Sequence, residues 1–127
     1  MADCVEVARA AREKLSTDHD VLGTFGLYLL NFAKFAKDDG QTELENNLSE
    51  TAEILLLRAL ELEPENPATI YNYACSLARR GKREPALEHL RKAIEIEKGE
   101  NLFSITPKDP DFTSLYDDQV FQEIVRQ

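Results

Sequence analysis

The side chains that could ligate a metal or share a proton are scattered through this chain of 127 residues. His19 and His89 have no Cys or carboxylate three or four positions away, the spacing that sets two ligands on one helical face. Asp109, Asp111, Asp117 and Asp118 are dense in acid but lack the glycine and closing glutamate of a calcium loop. They read better as helix caps and turns. Cys4 and Cys75 lie far apart and are expected to be reduced thiols rather than a disulfide. Cys75 suits a small packing residue. The chain contains no glycine-rich phosphate loop, nucleophile elbow or Ser/His/Asp order. The expectation is a non-enzymatic protein with no catalytic residues, metal or cofactor.

The formal charge is −9, with 24 Asp and Glu against 15 Lys and Arg. That balance disfavours nucleic acid, which needs clustered cations to displace counterions, and disfavours anionic membranes. A basic or apolar partner surface suits it, and charge that merely maintains solubility is the other reading. No continuous apolar run approaches the length of a bilayer-crossing helix, so no membrane span is expected. Met1-Ala2-Asp3-Cys4 has no basic stretch followed by an apolar block, and a cytoplasmic address is expected.

Apolar residues recur every three or four positions through most of the chain, which predicts helices. Residues 2–15 form the first, with Asp3 and Glu6 at capping-box spacing. Residues 20–37 are apolar on almost every face and are expected to be buried between neighbours. Gly23 and Gly26 within them suggest close approach of another helix, because each lowers helix propensity by about 1 kcal/mol. A turn at 38–42 and a polar, helix-compatible stretch precede a helix at about 48–63, with Leu55, Leu56, Ala59, Leu60 and Leu62 inward. Pro64 and Pro67 end it. Helices at 67–80 and 83–98 meet at Gly81, with Pro85 in a first turn and Gly99 as a C-cap. Residues 100–110 are expected to be irregular, and two short helices near 110–117 and 118–126 close the chain.

Ala52, Leu56, Ala59 and Pro64 recur at a constant offset as Ala86, Leu90, Ala93 and Lys98, and three of the four keep their character. Ile70, Tyr73, Ala74 and Leu77 precede the second set. The offset corresponds to a period of about 34 residues, the mark of stacked helical hairpins. On these residues the chain resembles the tetratricopeptide repeat (TPR) family, closely over 67–100 and well over 49–66. Asp109-Pro110-Asp111-Phe112, then Leu115, Asp117-Asp118 and Phe121, resemble the closing segment found after bacterial repeats of this kind. The resemblance implies an all-α fold, an α-α superhelix of helical hairpins with flanking capping helices, in one domain over 1–127. The first hairpin departs from the pattern. The small residue that should face Ala52 is either Gly26 or Ala33, which makes the insertion fourteen or seven positions long, about four or two helical turns. The excess near 38–48 either lengthens a helix or makes a projecting loop.

In this family the first helix of each hairpin lines a concave face that binds peptides. The resemblance assigns that face to Tyr71, Asn72, Cys75 and Arg79, with Asn31 and Lys34 from the first hairpin. Tyr and Arg are frequent interface anchors. Ala68 and Tyr71 stand where members that clamp C-terminal carboxylates carry cations, so that ligand is not implied. The function expected is protein or peptide binding on this face, with no nucleic acid and no membrane. The alternative is a self-assembling structural protein, dimeric through the apolar helix 20–37.

Overall fold

The structure is a computed structural model that describes residues 19–97 and 109–125. The expected helix 2–15, the Gly99 cap, Cys4 and most of the irregular segment lie outside the described residues. Among the described residues every regular element is helical. None of these helices is long and apolar enough to cross a membrane. The chain divides into two compact units, Met1–Pro64 and Glu65–Gln127. Among the described residues each unit contains one helical hairpin.

In the first unit, α1 (His19–Asp38) packs antiparallel to α2 (Thr42–Leu62). The inward stripe of α1 is Leu22, Leu29, Leu30, Ala33 and Ala36, and that of α2 is Leu48, Ala52, Leu55, Leu56 and Ala59, all buried. Leu60 and Leu62 are only half-buried. In the second unit, α3 (Pro67–Arg79) pairs with α4 (Arg83–Glu97). Asn66 caps α3, its side chain accepting from the backbone N–H groups of Ala68 (3.0 Å) and Thr69 (3.3 Å), and Pro67 takes the first helical position, where no N–H is required. Ile70, Ala74 and Leu77 meet Ala86, Leu90 and Ala93 in a fully closed core. A 3-10 helix (Pro110–Leu115) then packs on α3, and α5 (Gln119–Val125) packs on α4.

Both hairpins turn in the same way. Gly40 (φ 74°) and Gly81 (φ 75°) adopt the left-handed conformation. The amide after each glycine reaches back to a carbonyl of the preceding helix, Gln41 to Ala36 at 2.8 Å and Lys82 to Leu77 at 2.9 Å. This is the Schellman closure, which glycine adopts without steric cost. The interval from Gly40 to Gly81 is seven positions longer than the interval between the equivalent buried alanines, Ala52 and Ala86. Seven extra positions therefore lie between the first turn and its alanine. A comparable excess lies on the other arm, since α1 has 20 residues against 13 in α3, and α2 has 21 against 15 in α4.

The insertion thus makes no loop. It adds about two turns to each helix, and about two turns return a side chain to nearly the same face. The inward stripe stays in phase. Gly26 is the residue that faces Ala52 and Leu56, for a Cβ added there would stand 2.6 Å from Leu56 Cγ and 3.4 Å from the Ala52 carbonyl. A Cβ added at Gly23 meets nothing within 4 Å among the described residues, so no close approach of the kind seen at Gly26 is found there.

Candidate functional site

The face of α3 expected to receive a partner is occupied by the chain's own closing segment. Asp109 caps the 3-10 helix by accepting the Asp111 N–H at 2.9 Å, while Pro110 starts its first turn without a donor to satisfy. This local turn drives Phe112 down onto α3, where it is fully buried and its ring centroid lies 5.7 Å from that of Tyr71. The Tyr71 hydroxyl donates to Asp109 Oδ2 at 2.6 Å. One turn along α3, the Cys75 thiol lies 3.9 Å from the same oxygen. A further turn along, Arg79 Nη1 donates to Asp111 Oδ1 at 3.4 Å.

Positions 71, 75 and 79 share one helical face, and of the four α3 residues assigned to a partner only Asn72 stands off it. The correction concerns what covers them. Tyr71 and Cys75 are buried and Arg79 is mostly so. Asn72 remains half-exposed, and Asn31 and Lys34 are exposed on α1 in the other unit. The contacts follow from composition: an acidic, aromatic segment meets a helix face that presents a phenol, a thiol and a guanidinium.

Arg83 extends the clasp. Its Nε and Nη2 both donate to the Asp118 carboxylate, the Nη2 contact at 3.2 Å, and it also contacts Glu84. Asp118 in turn caps α5, accepting from Val120 N–H at 2.9 Å and Phe121 N–H at 3.3 Å. Asp109 and Asp118 are therefore caps, as expected, and partners of α3 and α4 side chains as well. His89 is a packing residue. Its ring stands edge-on to Tyr73 at 5.0 Å, and Nδ1 donates to the Pro85 carbonyl at 2.8 Å.

Cys75, Asp109 and Asp111 bring ligand atoms within 4.8 Å of one another, the one group of metal-ligating type among the described residues. Spacing could not reveal it, because Asp109 follows Cys75 at a distance far beyond any local motif. Burial, with Asp109 and then Asp111 adding to it, pushes the Cys75 thiol well up, so it stays protonated at neutral pH. The arrangement works as a hydrogen-bonded anchor for the closing segment.

The same carboxylates make stability depend on acid in two opposite senses. Burial raises the Asp111 carboxyl, Asp109 adds to the rise, and Arg79 partly offsets it. The Arg83 hydrogen bond lowers Asp118, with help from the Phe121 and Val120 amides. A raised carboxyl favours folding below its unfolded value, near pH 4, and that advantage is lost as pH climbs through the folded value. A lowered one favours folding above about pH 4 and loses its contribution as pH falls through the folded value. Urea unfolding across pH should therefore show Asp111→Asn gaining on the parent as pH rises above about 4. Asp118→Asn should fall behind as pH climbs through the acid range up to that point and then hold a constant deficit. Parallel curves for either variant would remove its carboxylate from the titration.

A second surface lies in the first unit. Tyr28, Phe32 and Phe35 are 60%, 54% and 71% exposed. They line up along α1 at helical spacing, to one side of the stripe that meets α2. The expectation that this helix is buried on nearly every face fails, because these three side chains stand outside the stripe that α2 covers. Next to the aromatics, a pocket of about 450 Å³ is lined by Phe32, Phe35, Ala36, Asp38, Asp39, Gln41, Leu44 and Leu48. In comparisons with protein-family models, curated proteins and solved structures, none matches the chain.

Proposed function

We propose that this chain is a non-enzymatic, protein-binding helical-repeat module of tetratricopeptide type, and that it engages its partner through the aromatic face of α1. The observation that carries this reading is the row of Tyr28, Phe32 and Phe35, three large apolar side chains left more than half exposed beside a pocket. Contiguous apolar surface of this kind marks an interaction site, whereas a single exposed aromatic does not. The repeat assignment is supported by matched burial one period apart, with Ala52 and Ala86, Leu56 and Leu90, and Ala59 and Ala93 all fully buried. Asn31, next to the aromatic row on α1, borders the same surface. Tyr71, Cys75 and Arg79 hold the closing segment instead of a partner.

The test is capture from extract of the source cells with the parent chain and with Tyr28→Ser/Phe32→Ser/Phe35→Ser. A specific protein retained by the parent and lost with the triple variant is expected, with helicity unchanged. Equal retention would move the surface elsewhere. The same exposed row also suits a second copy of the chain. In that reading sedimentation equilibrium at micromolar concentration gives a dimer for the parent and a monomer for the triple variant.

A further inference from the structure

From the chemistry of the α1–α2 pocket, and resting on the proposed role of α1 in protein recognition, we propose that its occupant is a basic amphipathic helix of a partner protein. The helix sets large apolar side chains against Phe32, Phe35, Leu44 and Leu48 and places Lys or Arg at Asp38 and Asp39.

The floor and the rim differ in character. Phe32, Phe35, Ala36, Leu44 and Leu48 supply the apolar lining, whereas Asp38 and Asp39 close the turn end. The Gln41 side chain donates to Asp39 Oδ2 at 2.8 Å and so holds that carboxylate at the pocket mouth. Glu43 and Glu45 follow in the first turn of α2. Four carboxylates thus gather around the turn, against Lys34 and Lys37 on α1. A cation on the occupant meets acid there, and the chain's charge of −9 draws basic partners in from a distance.

A volume of about 450 Å³ takes two or three large apolar side chains, more than one anchor and less than a folded domain edge. The walls are two helices, which present no unpaired backbone edge for an extended peptide to pair with. A helix laid in the groove satisfies its own backbone and offers anchors three or four residues apart. Tyr28, one turn before Phe32, prolongs the apolar track along α1, so an occupant of several turns keeps contact along its length.

The experiment is fluorescence anisotropy with labelled helical peptides of about five turns. One has Leu on its apolar face and Lys on its polar face, and the other carries Glu in place of Lys. Saturable one-to-one binding of the Leu/Lys peptide is expected, with at least tenfold weaker binding of the Leu/Glu peptide. Phe32→Ser/Phe35→Ser should weaken the Leu/Lys peptide at least tenfold, and Asp38→Asn/Asp39→Asn severalfold with a shallower salt dependence. Glu88→Gln/Glu95→Gln removes the same charge from α4 and should leave binding unchanged, which separates local complementarity from bulk attraction. Equal binding of both peptides, or a serine variant that binds like the parent, overturns the proposal. So does a parent dimer dispersed by the serine changes, since the occupant is then a second copy. If extract capture depends on the aromatic row while the Leu/Lys peptide fails to compete, the recognition role stands and the basic helix falls.

Discussion

Cutting Phe112 back to Ala is expected to cost the fold about 3–5 kcal/mol, the range for deleting a fully buried aromatic ring. Phe112 is 0% exposed and lies between Tyr71 and Phe121, with ring centroids 5.7 Å away on either side. Its loss empties the centre of the contact between the closing segment and α3. The polar clasp that remains is partly solvated, with the Asp111 side chain 26% exposed, and such pairs compensate little. A second readout follows from the same geometry. Cys75 lies under the closing segment as a buried, protonated thiol, so in a Cys4→Ser background its reaction with a soluble disulfide reagent should be slow. Phe112→Ala should speed it about 100-fold or more, following the loss of stability at roughly tenfold per 1.4 kcal/mol. Lower stability with an unchanged labelling rate would show that something other than the 3-10 helix shields Cys75.

Gly26 should show a reversal of sign. In the parent chain Gly26→Ala gains about 1 kcal/mol in helix propensity. It also drives a methyl to 2.6 Å from Leu56 Cγ and 2.9 Å from Cδ2, in a site where Leu56 is wholly buried. Overpacking of this kind costs about 1–3 kcal/mol, so the net effect is destabilising. Leu56→Ala alone should cost about 2–5 kcal/mol. In that background the obstructing atoms are gone, and Gly26→Ala becomes stabilising by about 1 kcal/mol. Gly23→Ala, with open space around it, should stabilise in either background. A thermal double-mutant cycle measures the coupling, and strict additivity would place Gly26 away from the crossing with α2.

The comparison between Gly23 and Gly26 shows how far reading a chain can reach. Both glycines interrupt the same apolar run, and sequence treats them alike. Only the path of α2 tells which one lies at the crossing. Tyr28, Phe32 and Phe35 pose the same difficulty, because an aromatic residue at helical spacing reads as core whether or not a second neighbour arrives to cover it. For Tyr71, Cys75 and Arg79 the error ran the other way. Their common face was legible from spacing, but the segment that covers it begins only at Asp109, beyond the whole of α4. Its acidic residues read as caps and turns, and Asp109 and Asp118 are caps; the second role of Asp109, Asp111 and Asp118 as partners of Tyr71, Arg79 and Arg83 had no local signal.

Sequence alone indicated the pair of helices that meet at Gly81 and the end of the helix before Pro64, since hydrophobic period, prolines 64 and 67 and glycine 81 act within a few residues of themselves. It also determined the periodic correspondence of small inward side chains, because a buried crossing tolerates nothing larger. Tertiary structure decided how the inserted residues divide between α1 and α2, which aromatic row remains in solvent, and that the closing segment occupies the face of α3. Those outcomes depend on which surface each stripe meets, and burial is a property of the pair of surfaces rather than of either sequence alone.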